Sequence, residues 1–207
     1  MSTSAVISLS QATALRSSSP DEARLCALVE RVKADDLGAF DELYRLTRDD
    51  VAKTLFHLTG RRADLDDLLQ EVYLKLLSAV KTFRGESQFR TFLYRICANV
   101  ALMHLRWRFR RREDVTAEPP DQISTAADPE SEAQRAQAQR LVQLALSRMT
   151  AKKRVVFVYH ELCGMGPEEI ARAVGTSPNT VRSRLHHARL EFNAAMQKLV
   201  APGGVHG

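Results

Sequence analysis

The stretch GPEEIARAVGTSPNTVRSRLHHAR, residues 166–189, contains the start and stop signals of two short helices joined by a tight turn. Pro167 suits the first position of a helix, where its missing N–H would have no partner, and Gly175 suits the left-handed conformation that ends one. Ser177 can then cap a second helix that begins with Pro178. This order of signals predicts a helix-turn-helix.

The second of these helices has an apolar side and a polar side. At about 100° per residue, one apolar stripe should pack against Ile170 and Val174 of the first helix; it consists of Val181, Leu185, Ala188 and Phe192. The polar side can hydrogen-bond to base edges in a major groove through Asn179, Arg182, Ser183 and His186. Flanking residues within reach of phosphates are Arg184, His187 and Arg189. A helical hairpin with a solvated polar face is the alternative, but it would need neither the caps nor the donor-rich face.

The composition of the chain restricts its class and compartment. It has 207 residues, 44% of them hydrophobic, and this length and hydrophobic content allow one large or two small domains. The formal net charge is +5. Cys26, Cys97 and Cys163 match no metal-ligand spacing, which disfavours a zinc site or a disulfide framework. No apolar run could span a bilayer, and residues 1–19 lack the order of a secretory signal. We therefore expect a cytoplasmic protein with no membrane insertion, no metal and no cofactor.

The chain divides into segments of different composition. Residues 1–20 are rich in Ser and Ala and predict a disordered tail, whereas residues 21–112 show helical periodicity almost throughout. Residues 113–135 carry an excess of acidic residues, include three prolines and have no Lys or Arg before Arg135, which is typical of a linker. Helical periodicity resumes over residues 136–200, and residues 201–207 form a second tail. The prediction is an all-α fold of two small helical domains, an N-terminal helical bundle and a C-terminal helix-turn-helix domain, joined by a flexible acidic linker.

A long amphipathic helix is predicted in the first domain. Its apolar stripe consists of Leu65, Leu68, Leu69, Val72, Leu76 and Val80, and its other face carries Asp66, Asp67, Gln70, Glu71 and Lys75. From the periodicity alone, a solvated charged face is the simpler interpretation of those polar residues.

Aromatic and basic residues alternate directly after this helix. The segment 82–95 contains Phe83, Arg84, Phe89, Arg90, Phe92, Tyr94 and Arg95, and the run from Arg106 to Arg112 has five arginines with Trp107 and Phe109 between them. Rings that stack on unpaired bases and cations that hold the backbone are what single-stranded DNA requires. A hydrophobic core with a basic rim explains the composition of segment 82–95 equally well.

Taken together, three motifs in order resemble the extracytoplasmic-function (ECF) group of bacterial RNA polymerase sigma factors. They are DLLQEV at 67–72, FRGESQFRTFLYRI at 83–96 and TVRSRLH at 180–186, which are similar to the polymerase-docking helix, the promoter-melting segment and the recognition helix of that family. The resemblance covers roughly residues 39–112 and 141–199.

The resemblance implies roles that the composition did not provide. It implies docking to a coiled coil on the largest subunit of core RNA polymerase through Asp67, Gln70, Glu71 and Lys75. It implies capture of a flipped minus-ten base in a pocket formed by Ala79, Phe83, Ile96 and Asn99. Further minus-ten contacts are expected from Arg84, Phe89, Arg90, Arg95 and Arg106.

In the C-terminal domain, the resemblance implies contacts with the duplex minus-thirty-five element. These are expected from Asn179, Thr180, Arg182, Ser183, Arg184, His186, His187 and Arg189. The partners expected are therefore core RNA polymerase, promoter DNA in duplex and single-stranded form, and an anti-sigma factor. We find no nucleophile with a paired base and no phosphate-binding loop, so we expect no enzymatic activity. A free-standing helix-turn-helix regulator that needs no polymerase is the alternative.

Overall fold

The computed structural model describes residues 22–111 and 129–200. The first range contains α1 (Glu22–Lys33), α2 (Leu37–Thr59), α3 (Leu65–Ala79), a short 3-10 helix (Val80–Thr82) and α4 (Phe89–Arg111). The second range contains α5 (Pro129–Ser147), α6 (Ala151–Glu161), α7 (Pro167–Val174) and α8 (Pro178–Val200). These two ranges contain no β-strand, and the predicted all-α class is confirmed.

The helix-turn-helix forms where the sequence predicted it. Gly175 ends α7 in the left-handed conformation with φ 65°, and the N–H of Gly166 at the start of α7 donates to Oε2 of Glu169 at 2.7 Å. At the start of α8, the hydroxyl of Ser177 accepts a hydrogen bond from the N–H of Thr180 at 3.1 Å. Local capping chemistry therefore fixes both ends of the turn.

Burial confirms both predicted apolar stripes. The α8 stripe is buried at Val181, Leu185, Ala188 and Phe192, and Ile170 of α7 is fully buried. The α3 stripe is buried at Leu68, Leu69, Val72 and Leu76, Val80 follows in the 3-10 helix, and Leu65 at the start of the stripe is partly buried against the core. The run at 155–159, which contains three valines and two aromatic residues, lies inside α6.

One element begins earlier than its periodicity indicated. Helix α5 starts at Pro129, inside the segment 113–135 that the sequence assigned to the linker. Proline is favourable at the first helical position, where its missing N–H would have no partner. The rest of that segment and both predicted tails lie outside the described residues.

Helix α4 lies at the centre of the fold. On one side it contacts α1, α2 and α3, and on the other it contacts α6 and α7 of the C-terminal domain. Its buried residues accordingly surround the helix axis, among them Phe89, Leu93, Cys97, Ala98 and Ala101. The two helical domains are thus packed directly against each other.

An arginine from the C-terminal domain satisfies carbonyl groups on both sides of this interface. Arg154 of α6 donates to the carbonyl oxygens of Leu58 at the end of α2 (3.0 Å), Ser147 (3.1 Å) and Met149 (3.2 Å). The residue is buried, and this burial lowers the pKa of its guanidinium to about 10. Helix C-termini carry partial negative charge, so the ends of α2 and α5 suit a buried cation.

Two further polar contacts cross the same interface. The side-chain amide of Gln143 in α5 donates to Nδ1 of His57 in α2 at 2.6 Å, and Thr54 Oγ1 lies 3.7 Å from Sγ of Cys163. Burial, with a smaller contribution from Lys53, lowers the pKa of His57 to about 4, so the imidazole is neutral and can accept this bond.

Candidate nucleic-acid interface

The polar side of α8 presents most of the residues that the sequence assigned to duplex DNA. The exposed residues are Asn179, Arg182, Ser183, His186, His187 and Arg189, and the partly buried ones are Thr180 and Arg184. Because the apolar stripe faces the core, helical geometry turns these side chains outward together. The face is therefore rich in hydrogen-bond donors and open to a ligand.

Two arginines of this face are held by carboxylates from neighbouring helices. Arg182 donates through Nη2 to Oε1 of Glu168 in α7 and through Nη1 to Oδ1 of Asn179, at 2.5 Å and 2.9 Å. Arg189 donates through Nε to Oε1 of Glu161 at the end of α6, at 2.7 Å. The sequence pattern gave no sign that Glu168 pairs with an arginine of α8.

The aromatic rings of the segment that follows α3 are in the core. Phe83, Phe89 and Phe92 are 6%, 0% and 6% exposed and pack on one another with ring centroids 5.1 to 6.3 Å apart. Between the two interpretations of this segment, the structure favours a core with a basic rim. Phe89, which we expected to contact minus-ten DNA, has no accessible surface and could reach a base only by leaving the core.

The arginines of this segment lie in three different environments. Arg84 is exposed, and Arg95 is exposed with its guanidinium 5.2 Å from the centre of the Phe92 ring. Arg90 is partly buried and its Nη1 lies 3.5 Å from Oδ2 of Asp50. Arg84 and Arg95 are thus the arginines of this segment best placed to meet a DNA backbone.

The four residues expected to form a base pocket differ in accessibility. Asn99 is exposed on α4, one turn after Arg95, and Ala79 is partly buried at the end of α3. Phe83 and Ile96 are only 6% and 7% exposed. In this arrangement Asn99 is available to a base edge, whereas the two expected apolar walls belong mainly to the core.

Helix α4 carries an exposed basic stripe that continues from Asn99. Its exposed members at three- and four-residue steps are Arg95, Asn99, Met103, Arg106, Trp107 and Arg110. The sequence reasoning did not assign Met103, which is 47% exposed, although its spacing of four residues from Asn99 gave the signal. The ring of His104 stacks on Trp107 with centroids 6.4 Å apart, and Nε2 of His104 lies 3.1 Å from Oδ2 of Asp64.

The outer face of α3 combines polar residues with an apolar groove. Asp67 and Gln70 are exposed, and the partly buried Glu71 pairs with Lys75 at 3.2 Å. Beside them is a groove of about 330 Å³ between α2 and α3, lined by Phe40, Tyr44, Asp66, Leu69, Gln70, Tyr73, Leu74 and Leu77. Leu74 and Leu77 are 59% and 40% exposed and lie off the buried stripe, a signal that the sequence reasoning did not use.

The described ranges contain neither of two other kinds of site. Within them, no three His, Cys, Asp or Glu side chains come together as metal ligands. No helix in residues 22–111 or 129–200 has the length and apolar character required to cross a membrane.

Comparison with known proteins identifies both halves of the chain. Residues 43–111 match the model of Sigma-70 region 2, and residues 139–192 match that of Sigma-70, region 4. The chain is 32% identical over 182 residues to the ECF RNA polymerase sigma-E factor of Haemophilus influenzae, covering 84% of this chain and 96% of that protein. It is also 32% identical to the RNA polymerase sigma-H factor of Pseudomonas aeruginosa, covering 84% of this chain and 94% of that one.

Solved structures share the fold. CnrH, in complex with the cytosolic domain of CnrY, superposes with a TM-score of 0.63 at 23% identity, covering 86% of this chain and 98% of CnrH. The sigma factor RpoE of Bartonella quintana, in complex with the anti-sigma factor NepR, superposes with a TM-score of 0.59 at 19% identity, covering 79% of this chain and 98% of RpoE.

Proposed function

Since this chain belongs to the ECF sigma factors of bacterial RNA polymerase, which direct core polymerase to promoters and promote opening of the DNA, we propose that its two domains divide this work. The observation that carries the proposal is that each domain exposes one face rich in hydrogen-bond donors and cationic side chains. The N-terminal domain exposes the basic stripe of α4 with Asn99, and the C-terminal domain exposes the donor-rich side of α8.

The C-terminal domain reads the minus-thirty-five element as a duplex. Helix α8 enters the major groove, where Arg182, Ser183 and His186 reach base edges and Arg184, His187 and Arg189 bind phosphates. A bidentate contact from Arg182 would contribute about 1–3 kcal/mol of discrimination at one base pair. This domain anchors the complex upstream.

The N-terminal domain binds the minus-ten element as it opens. Separating about ten base-pair steps at ~1.4 kcal/mol each costs ~14 kcal/mol, whereas the one flipped base captured in the pocket contributes ~1–3 kcal/mol. Asn99 and the arginines around it therefore cannot open the duplex alone. The chain supplies specificity and traps open DNA within the polymerase complex, and it does not catalyse a reaction itself.

The outer face of α3 docks to the polymerase. Asp67, Gln70 and Glu71 offer acceptors to a basic partner helix, and the groove beside them offers an apolar surface to its neighbouring side chains. Because carboxylates and exposed leucines lie side by side, the face suits a protein rather than a nucleic acid. A free-standing regulator would have no use for it, which disfavours the alternative function.

The two domains must separate when both promoter elements are bound. Elements about 25 base pairs apart lie ~85 Å from each other along B-form DNA, whereas a packed chain of this size is only ~40 Å across. Residues 112–128 connect the domains, and a chain of that length extends to at most ~60 Å. The packed arrangement is therefore the form of the free protein, and polymerase binding must open it.

An anti-sigma factor is a second proposed partner. Both solved relatives with the same fold were captured with another protein, CnrY in one case and the anti-sigma factor NepR in the other. A protein that binds the packed form of this chain would oppose the separation of its domains and so prevent initiation.

Run-off transcription with purified core polymerase tests the proposed function. Addition of the chain should create start sites that core enzyme alone does not use, and Asp67→Ala combined with Gln70→Ala should abolish them together with co-purification of the polymerase. Glu30→Ala is the matched control, since Glu30 is an exposed carboxylate on α1. Identical start sites with and without the chain would contradict the function, and tight specific DNA binding without polymerase would favour the free-standing regulator.

A further inference from the structure

The guanidinium of Arg182 is held between two acceptors on the DNA-facing surface of the C-terminal domain. Nη2 donates to Oε1 of Glu168 in α7, and Nη1 donates to Oδ1 of Asn179, one turn earlier in α8. We infer that Glu168 is a positioning residue for promoter specificity: it orients Arg182 for one base pair of the upstream element, given the proposed function, on which this depends.

The geometry leaves Arg182 able to bind DNA while it is held. A guanidinium has five N–H donors in a fixed plane, and the two contacts use one donor on each terminal nitrogen. Three N–H groups therefore remain for a base edge or a phosphate. Two acceptors, one on each terminal nitrogen, restrict its rotation, which lowers the entropy lost when the arginine forms a bidentate contact.

The side chain of Glu168 contributes little to the stability of the fold. Its side chain and that of Arg182 are 56% and 54% exposed, and an ion pair between groups so exposed contributes little to folding. The capping role at the start of α7 belongs to the next residue, Glu169, whose Oε2 accepts the N–H of Gly166 at 2.7 Å. Two adjacent carboxylates therefore have separate partners, one in the recognition helix and one in the backbone.

A carboxylate next to a DNA-reading arginine also affects binding to the wrong sequences. Without Glu168, the long side chain of Arg182 would be free to pair with any nearby phosphate, and one negative charge facing the DNA would be lost. Both changes strengthen non-specific binding. Glu168 thus raises sequence specificity and lowers overall affinity for DNA, because it holds the guanidinium of Arg182 in one orientation.

The test uses the full-length chain in holoenzyme with core polymerase and promoter templates whose upstream element is randomised. Sequencing of the templates that are bound and transcribed gives the base preference at each position. Arg182→Ala identifies the position that Arg182 reads, with an expected loss of preference of about tenfold. Glu168→Ala should lower the preference at that same position by about three- to tenfold, with equal or higher affinity for templates lacking the element, and Glu168→Gln, which keeps an acceptor, should lower it less.

Glu169→Ala is the matched control. It removes the capping carboxylate one residue away and should lower thermal stability without changing the preference at the position that Arg182 reads. If Arg182→Ala flattens one position and Glu168→Ala leaves that position unchanged, the positioning role is wrong while the proposed function stands. If Glu168→Ala weakens binding to all templates equally, Glu168 has only a structural role and the inference is also overturned. If the unmodified holoenzyme selects no upstream motif, the proposed function itself fails.

Discussion

The hydroxyl of Tyr159 in α6 donates a hydrogen bond to the carbonyl oxygen of Tyr94 in α4 at 2.5 Å, and the two rings lie with centroids 5.6 Å apart. Tyr94 belongs to the segment assigned to promoter melting, and Tyr159 belongs to the other domain. Tyr94 is 7% exposed and Tyr159 is 0% exposed, so the contact is buried inside the interface between the domains. The separation of the domains that we propose for promoter binding would have to break this contact.

Replacement of this donor should loosen the interface. Tyr159→Phe keeps the ring and removes one buried hydrogen bond, so we expect a loss of about 0.5–1.5 kcal/mol, most of it from the packing between the domains. The measurement is the alkylation rate of Cys163, which lies against Thr54 of the other domain. Burial raises the pKa of this thiol to about 11, so it reacts slowly in the packed chain. In the variant it should react several-fold faster. Mass spectrometry distinguishes it from Cys26 and Cys97.

Tyr73→Phe is the control for this change. It removes the hydrogen bond between Tyr73 and Thr47, 2.8 Å long and also buried, but lies wholly within the N-terminal domain. It should lower the free energy of unfolding by a similar amount and leave alkylation of Cys163 under native conditions unchanged. Equal acceleration by both variants would mean that Cys163 reacts through global unfolding.

Loss of the buried arginine should be more severe. Arg154→Met leaves three carbonyl oxygens without their donor, at Leu58, Ser147 and Met149, and should lower the free energy of unfolding by about 3 kcal/mol in urea denaturation. Arg148→Met is the control: it changes an exposed arginine of the same region and should shift the midpoint of urea denaturation little. Comparable losses from both variants would show that Arg154 does not stabilise the interface.

Acid should weaken the protein through His57. Its pKa is about 4 in the folded chain, below the ordinary value of 6.5, so between these values the unfolded state binds a proton that the folded state does not. The contribution of His57 to the free energy of unfolding is therefore fully present above pH 6.5. It decreases as the pH is lowered, and about 2 kcal/mol of it is lost at pH 5. Urea denaturation of wild-type and His57→Gln chains at pH 7.5 and pH 5 measures the difference, and parallel losses in both would exclude His57 as the cause.

A covalent lock should prevent initiation if the domains must separate. Thr54 Oγ1 is 3.7 Å from Cys163 Sγ across the interface, so Thr54→Cys places two thiols close enough to be oxidised to a disulfide by diamide. The oxidised variant should lose run-off transcription in holoenzyme and regain it with a reductant. Thr54→Cys combined with Cys163→Ser should be insensitive to diamide, and full activity of the locked chain would contradict domain separation.

The minus-ten contact should act at the opening step. Asn99→Ala removes an exposed side chain without changing the core, so open-complex formation, measured by permanganate footprinting, should weaken by about 1–3 kcal/mol while initial duplex binding changes less. Asn193→Ala removes an exposed asparagine near the end of α8 and should affect neither step. An unchanged footprint with Asn99→Ala would show that the pocket assignment is wrong.

The local signals in the sequence predicted the local structure well. Pro167, Gly175 and Ser177 defined both ends of α7 and the start of α8, and the apolar steps of α3 and α8 identified their buried sides. These features depend on hydrogen bonds and side-chain contacts within a few residues, which a sequence pattern contains directly.

The aromatic segment could not be interpreted in the same way. Alternating rings and arginines suit both stacking on bases and a core with a basic rim, and the choice depends on which helices cover α4. In the structure, helices of both domains pack against α4, so Phe89 and Tyr94 are buried while Arg95 and Asn99 remain exposed.

By itself the sequence determined the helices, the caps of the recognition motif and, through three motifs in order, the family. Only the tertiary structure decided that α4 lies between two packed domains, that Arg154 and Tyr159 join them, and that Glu168 holds Arg182. The physical reason is the range of the interactions: caps and helical periodicity act between neighbours in the chain, whereas these contacts join residues from different helices that meet only when the chain has folded.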